Sequence, residues 1–411
     1  MKGSFRVVIT GASTYGVNNH GDDAMLATLV QGIQRAYPHA EITFLCRHPN
    51  KAFDQAFGFE SIKNLDHDSK QSAHGRMFWG MNAGDSTSHL KKIAAAIQKA
   101  DLLVIGGNSL MEIFPNGFLS GVSSYAVTLA TLARFFETPY VLYGLNVVDS
   151  IKQQTTKDHA RFLVENARLV TCREESCREY LTALDINCSN VFVMGDPAYG
   201  IEMPIRFNKK ITSRYKRILT LKPVVGAAFR YHYWADDDSK RREIGKKFAN
   251  LLDCLIEALD CNIFMIPNCT YTKGHLWQDD RLVHQEVCNL MRRKEAAVRV
   301  DEELSVFDAL DLFSLVDLHI SNRRHSCIFA ALQNKPFIAI EGLFPGHMRP
   351  FTQDLGVEDR LCAIDNVAEV TRKAMVLWQN NRYEQKEPYT KTRELQVSAK
   401  IQIDQILKTL Q

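Results

Sequence analysis

The feature that most constrains the fold is a repeated alternation between short apolar runs and amphipathic helical segments. Each apolar run has about four to eight residues and ends at a glycine or a polar turn. This pattern is typical of buried parallel strands joined by helices. We predict strands in the first half at residues 6–10, 41–46, 102–107, 140–147, 167–172 and 190–195. The second half has them at 224–229, 262–268, 297–301, 315–321 and 336–341.

A polar, basic stretch interrupts this alternation at residues 206–217, and the pattern then restarts. The break predicts an N-terminal Rossmann-like domain at 1–205 and a C-terminal one at 206–411 that ends in helices. The expected fold class is therefore α/β, with two doubly wound Rossmann-like domains facing across a cleft. Ligands of such domains bind at the carboxyl ends of the strands and at helix N-termini.

The composition is that of an ordinary globular protein and excludes several classes of function. A formal net charge of +3 over 411 residues gives no indication of a nucleic-acid partner. No apolar run approaches the roughly 18 to 20 residues of a membrane span, and the N-terminus predicts a strand, so we expect a cytoplasmic protein. The ten cysteines include no C-x-x-C pair, so most should be small buried residues.

The loop after the first strand resembles a nucleotide-binding loop but lacks its essential residues. Gly11 and Gly16 have the spacing of a P-loop, yet Val17 and Asn18 stand where a lysine and a serine or threonine are needed. The dinucleotide pattern G-x-G-x-x-G also fails, because Ser13 occupies the position of its second glycine. Neither nucleotide motif is therefore predicted here.

A polar stretch ahead of the first helix follows this loop. Asp22 or Asp23 could cap that helix, because acidic residues suit its positive N-terminal end. Asn18, Asn19 and Asp22 would equally suit the hydroxyls of a sugar. The residues themselves leave both interpretations open.

The most informative segment is SNRRHSCIFAALQNKPFIAI, residues 321–340. A strand ends at Ser321 and Asn322, and Arg323, Arg324 and His325 come just before a helix. Arginine side chains at a helix N-terminus form a natural anion site, and a histidine there can exchange a proton near neutral pH. The alternative is a solvated turn in which the histidine caps the helix.

A second polar loop follows the first strand of the C-terminal half. Within residues 226–237, Arg230 is followed by Tyr231, His232, Tyr233 and Trp234. Such a cluster at a strand end suits stacking on a sugar or a base, although a half-buried aromatic loop would have the same composition.

Several short motifs, in order, resemble the polysaccharide pyruvyltransferase family. The strongest is S-x-R-x-H-x-x-I-F-A-A, residues 321–331, followed by the strand P-F-I-A-I. The others are N-x-G-D-[DE]-A at 19–24, ADLLVIGG at 100–107, which resembles A-D-L-hydrophobic-x-G-G, REES at 173–176, which resembles R-[DE]-x-x-S, D-P-A at 196–198, and I-P-N at 266–268 with Asp279 and Asp280. Together they span about residues 6 to 360.

The resemblance implies a GT-B-like fold and transfer of a pyruvyl group from phosphoenolpyruvate to two hydroxyls of a saccharide, as a ketal. It implies that His325 and Arg323 are catalytic, with His325 as acid or base. The donor side would consist of Arg173, Arg323, Arg324, His347, Arg349, Ser321 and Asn322. The acceptor side would consist of Asn18, Asn19, Asp22, Gly107, Asn108, Arg230 and His232.

No metal or further cofactor is expected, because fixed cations can balance the charge of the donor. Attachment of the acceptor to a lipid, peripheral association with the inner face of the membrane and a homo-oligomeric state stay open.

Two departures from the family pattern bear on the donor. Arg324 occupies a position that is usually apolar, and His347 stands where the family commonly has a lysine. Two alternatives therefore accompany the pyruvyltransferase hypothesis. One is a GT-B-like glycosyltransferase that uses a nucleotide sugar, and the other is a divergent member of the family that uses another anionic donor.

Overall fold

A computed structural model describes residues 4–11, 18–46, 48–65, 87–107, 110, 122–147, 151–219, 222–231, 237–271, 279–341, 348–381 and 387–410. The chain divides into two compact units. The first unit comprises residues 1–17, 22–202 and 395–411, and the second comprises 18–21 and 203–394. The main division lies close to the predicted boundary at 205, but two segments differ from the prediction. Residues 18–21 group with the second unit, and residues 395–411 group with the first.

The first unit contains a seven-stranded parallel sheet in the order β3-β2-β1-β4-β5-β6-β7. The strands are β1 Arg6–Thr10, β2 Glu41–Cys46, β3 Glu60–Lys63, β4 Leu102–Gly106, β5 Tyr140–Leu145, β6 Leu169–Cys172 and β7 Val191–Val193. The helices are α1 His20–Ala36, α2 Lys51–Phe57, α3 Thr87–Lys99, α4 Val122–Phe135, α5 Gln154–Glu165 and α6 Glu175–Ala183. The strand order reverses between β1 and β4, which is the point where doubly wound sheets bind ligands.

The second unit contains a six-stranded parallel sheet in the order β10-β9-β8-β11-β12-β13. The strands are β8 Val224–Ala228, β9 Asn262–Met265, β10 Ala297–Arg299, β11 Leu318–Ser321, β12 Phe337–Glu341 and β13 Leu361–Ala363. The helices are α7 Lys210–Ile218, α8 Asp238–Leu259, α9 Asp280–Leu290, α10 Val306–Leu312, α11 Arg324–Leu332, α12 Met348–Asp354, α13 Val367–Asn381 and α14 Glu387–Lys408. Here the order reverses between β8 and β11.

The predicted α/β class with two doubly wound units is confirmed, and the departures concern short elements and helix ends. The edge strands β3 and β13 were not predicted, because each is short and only partly buried. The helix α1 begins at His20, so Asp22 and Asp23 lie in its first turn and do not precede it. The helix α11 begins at Arg324, one turn earlier than the apolar pattern indicates.

The C-terminal part of α14 belongs to the first unit, although the sequence placed it in the second domain. The hydroxyl of Ser398 donates a hydrogen bond to the carbonyl of Met194 at 2.6 Å. The amide of Gln402 donates to the carbonyls of Met194 and Gly195, each at 3.0 Å. The accepting residues, Met194 and Gly195, come directly after β7. The sequence cannot indicate these contacts because the partners are about two hundred residues apart. Among the described helices, none is long and apolar enough to cross a membrane.

Among the described residues of the second unit, three histidines are buried, and each has one ring nitrogen in a hydrogen bond. His20 donates from Nε2 to the carbonyl of Leu304 at 3.1 Å. His284 accepts at Nε2 from the backbone N–H of Phe229 at 3.1 Å. His319 lies beside the Ser326 hydroxyl, with Nε2 and Oγ 3.1 Å apart. Burial lowers the pKa of His20 and of His284 to about 4, and that of His319 to about 3. All three rings are therefore neutral at pH 7.

We predict that acidification destabilises the second unit before ordinary carboxylates titrate. The pKa values of the three rings lie below the ordinary 6.5, so the unfolded chain binds protons first as the pH falls. Their contribution to stability is complete above about pH 6.5 and is lost towards pH 4, by up to about 1.4 kcal/mol per histidine for each pH unit. Urea unfolding at several pH values between 7 and 5.5 measures this slope.

The variant His319→Gln should flatten the pH dependence by removing one of the three buried rings. The matched control is His39→Gln, because His39 is exposed and should not alter the slope. Equal slopes for the two variants would contradict the prediction.

Candidate functional site

The ends of β8 and β11 are tied together at the switch point of the second sheet. The side chain of Asn322 donates from Nδ2 to the carbonyl of Arg230 and accepts at Oδ1 from the Arg230 backbone N–H, both at 3.0 Å. This amide therefore pairs with a neighbouring backbone as a strand would. The predicted donor-side residue Asn322 and the predicted acceptor-side residue Arg230 are neighbours within one unit.

Buried hydroxyls hold the backbone of Arg323 at the start of α11. Ser321 Oγ accepts from the Arg323 N–H at 2.7 Å and donates to the carbonyl of Ala228 at 2.6 Å. Ser326 Oγ donates to the Arg323 carbonyl at 2.8 Å, and His319 contacts this same hydroxyl. Ser321 is fully buried, so its part in the site is to support the arginine that follows it.

The guanidinium of Arg323 is paired with the carboxylate of Asp280. Asp280 is 0% exposed and Arg323 only 5% exposed. Nε of the arginine donates to Oδ2 at 3.1 Å, and Nη2 donates to Oδ1. Oδ2 also accepts the backbone N–H groups of Asn268 at 2.9 Å and Cys269 at 3.0 Å. The pair fixes one edge of the guanidinium and connects it to the loop after β9.

Residues 18–21 are part of this same arrangement. The N–H of Thr270 donates to the carbonyl of Asn18 at 3.0 Å, and the N–H of His20 donates to the carbonyl of Asn268 at 2.9 Å. Asn19 forms an isolated antiparallel bridge with Cys269. Asn18 and Asn19 were predicted to lie in the N-terminal domain, as acceptor-side residues. They instead group with the second unit, because this short stretch pairs with the loop after β9.

His325 lies in the first turn of α11 and packs directly on Gly21. A Cβ atom added to Gly21 would lie 2.0 Å from Nδ1 and 2.1 Å from Cγ of the imidazole. The neighbouring Arg324 places its guanidinium over the ring of Phe351, 5.6 Å from the centroid. The start of α11 thus combines two cationic side chains, an imidazole and the positive end of a helix, which suits an anionic ligand.

Arg173 belongs to the first unit and has a buried carboxylate partner of its own. Its side chain donates from Nε to the carbonyl of Gly144 at 2.9 Å and from Nη1 to Oδ2 of Asp196 at 3.3 Å. The residue is 3% exposed, and among the described residues its Nη2 atom has no hydrogen-bond partner. Asp196 also accepts the N–H of Ala198 at 3.0 Å. The R-[DE]-x-x-S and D-P-A motifs therefore meet in one ion pair.

The other predicted site residues lie in different environments. Gly107 follows β4 at the switch point of the first sheet, with a φ of +73°. Asp22 is 1% exposed, so its carboxylate is buried in the first turn of α1. Arg349 is exposed, and its Nη2 atom lies 3.4 Å from Oε2 of Glu341. Three predicted residues lie outside the described residues: Asn108, His232 and His347.

Sequence reasoning did not assign roles to Asp280, His20 or Gly21. Asp280 was noted only as part of a motif, and its partner Arg323 is 43 residues away. A glycine inside the first turn of a helix is unfavourable, so Gly21 was the available signal of a close approach.

Solved structures with a similar fold include UDP-GlcNAc 2-epimerases and HepE, all of low sequence identity. The UDP-GlcNAc 2-epimerase of Methanocaldococcus jannaschii has a TM-score of 0.62 and 14% identity, with 98% of this chain and 99% of that chain covered. The epimerase of Neisseria meningitidis, bound to UDP-GlcNAc, has a TM-score of 0.63 and 12% identity with the same coverage. HepE of Anabaena, in complex with UDP and glucose, has a TM-score of 0.57 and 14% identity, with 99% of each chain covered.

These similarities show the fold alone, and they confirm the predicted GT-B-like fold class. No curated protein matches the sequence.

The sequence matches the family profile described as polysaccharide pyruvyl transferase over residues 19–342. The matched range contains Gly21, Arg173, Asp280, Arg323 and His325, and it covers most of both parallel sheets. The protein is therefore a transferase enzyme and belongs to the polysaccharide pyruvyl transferase family.

Proposed function

We propose that this enzyme transfers the pyruvyl group of phosphoenolpyruvate to two hydroxyls of a saccharide during polysaccharide biosynthesis. The observation that carries the proposal is the arrangement at the start of α11. There Arg323, Arg324 and His325 are consecutive at a helix N-terminus, at the switch point of a parallel sheet. This combination offers charge for an anionic donor and a group that can carry a proton.

The donor would bind through directed hydrogen bonds. Phosphoenolpyruvate carries a phosphate and a carboxylate, both of which suit the fork geometry of arginine. The buried pair with Asp280 orients Arg323 before the donor arrives. Arg324 would add a second charge, and Arg173 is assigned to the donor by its place in the family motif. Arg349 and His347 are further donor-side candidates.

The chemistry needs one proton donor at the enol carbon. An acceptor hydroxyl oxygen attacks C2 of phosphoenolpyruvate, and protonated His325 gives a proton to C3, so the double bond becomes a methyl group. The attacking hydroxyl gives its proton to His325, which restores the protonated ring. The second hydroxyl then attacks C2 and gives its proton to the departing phosphate as the bond between C2 and the phosphate oxygen breaks, so hydrogen phosphate leaves and the ketal closes. Atoms and charge balance without a redox partner.

The acceptor is a saccharide with two neighbouring hydroxyls, and we place the reaction in the cytoplasm or at the inner face of the membrane. Candidate acceptor contacts are Gly107, Asn108, Arg230 and His232, together with Asn18, Asn19 and Asp22 from the polar stretch near α1. A lipid-linked acceptor and a homo-oligomeric enzyme are compatible with this proposal.

A nucleotide sugar is the alternative donor. The similar structures from Neisseria meningitidis and Anabaena contain UDP-GlcNAc, and UDP with glucose, respectively. The cluster at the start of α11 would then hold the diphosphate.

We predict phosphate release from phosphoenolpyruvate in the presence of a saccharide acceptor, and a fall in kcat of about 10²- to 10⁴-fold in His325→Gln, because the general acid is lost. Phosphate detection and mass spectrometry of the acceptor, which gains a pyruvyl ketal, measure this. Release of a nucleotide from a nucleotide sugar, with phosphoenolpyruvate inert, would overturn the proposal in favour of the alternative.

We also predict that Arg323→Lys raises the KM for phosphoenolpyruvate at least tenfold, about 1.4 kcal/mol, because lysine cannot keep the two-point pair with Asp280 and also bind the donor. The matched control is Arg281→Lys. Arg281 makes a similar two-point pair with Asp279, at 3.0 and 2.8 Å. Arg281 is not among the site residues, so the KM of Arg281→Lys for phosphoenolpyruvate should stay unchanged. Equal changes in both variants would argue against a donor-binding role for Arg323.

A further inference from the structure

Residues 18–20 are joined to the loop after β9, within the second unit, through backbone hydrogen bonds. The N–H of Thr270 binds the carbonyl of Asn18, and the N–H of His20 binds the carbonyl of Asn268. The buried ring of His20 adds a bond to the carbonyl of Leu304. Gly21 comes directly after these residues, so their contacts fix its position relative to the loop after β9.

Gly21 has space only for a hydrogen atom where other residues carry Cβ. The three atoms nearest to an added Cβ all belong to His325, at 2.0, 2.1 and 2.6 Å. Such distances cannot be accommodated by small adjustments, because one of the three atoms is the Cβ of His325 itself. The imidazole is thus seated against bare helix backbone, and its ring position depends on the absence of a side chain at residue 21.

We propose that Gly21 is a positioning residue for His325. This inference rests on the proposed function, in which His325 delivers a proton to the donor. Gly21 touches neither donor nor acceptor in this role. It fixes where the imidazole lies relative to α11, so that the ring meets the enol carbon without a search through other rotamers.

The first test compares Gly21→Ala with Gly32→Ala. Both glycines lie in α1, and an added Cβ is too close in both, since at Gly32 it would lie 2.7 Å from Ile403. Gly32→Ala should lose stability but keep kcat and KM. Gly21→Ala should lower kcat at least tenfold while the KM for phosphoenolpyruvate changes by less than about twofold. An unchanged kcat in Gly21→Ala, or an equal fall in both variants, would overturn the proposal.

The second test needs no catalysis and combines Gly21→Ala with His325→Gly in a double-mutant cycle. Alanine is the better helix former, so a loss of stability in Gly21→Ala reports the contact with His325. We expect Gly21→Ala to lower Tm in the wild-type background and to lower it by less than half as much in His325→Gly. Equal losses in both backgrounds would overturn the proposal.

The cycle also separates this inference from the proposed function. An enzyme that ignores phosphoenolpyruvate would contradict the proposed function, whereas the cycle would still report whether Gly21 seats His325. Should Gly21→Ala fail to fold, recovery of folding in Gly21→Ala/His325→Gly supports the inference, and no recovery overturns it.

Discussion

The buried pair between Asp280 and Arg323 is the interaction on which the second unit's site depends. One carboxylate accepts hydrogen bonds from the guanidinium and from the N–H groups of Asn268 and Cys269. It therefore joins three segments: the loop after β9, the start of α9 and the start of α11. Removal of the carboxylate would take the buried counter-charge from Arg323 and the acceptor from two buried N–H donors, at a cost of several kcal/mol.

The histidines near this pair are neutral because a buried charge is costly. Burial is the main cause of their low pKa values. The charge of Asp280 raises the pKa values of His20 and His284, and the charge of Arg323 lowers them, but neither outweighs burial. A second cation beside a buried guanidinium would need another carboxylate. The neutral rings instead contribute hydrogen bonds. His284 accepts the N–H of Phe229, so its proton resides on Nδ1.

The sequence predicted those features that depend on local periodicity. Long apolar runs such as residues 102–107 gave the central strands, and the helix after Ser321 located Arg323 and His325 at a strand end. Features created by tertiary contact could not be predicted in this way. No periodicity indicates that Asn18 pairs with Thr270, or that the last part of α14 packs near Met194. The roles of Ser321 and Asn322 follow from backbone partners on β8 and the loop after it, and those partners are set by strand order.

Each unit contains a buried ion pair between an aspartate and an arginine that comes soon after a strand. Arg173 follows β6 and is paired with Asp196, and Arg323 comes two residues after β11 and is paired with Asp280. In both pairs the charges nearly cancel, so the attraction of each arginine for an anion is reduced at long range. What each arginine retains is direction. Asp280 holds the guanidinium of Arg323 at two points, and the Gly144 carbonyl together with Asp196 holds that of Arg173. Under the proposed function, recognition by these arginines would depend on the geometry of the donor's oxygen atoms more than on its total charge, which would favour selection among anionic donors of similar charge.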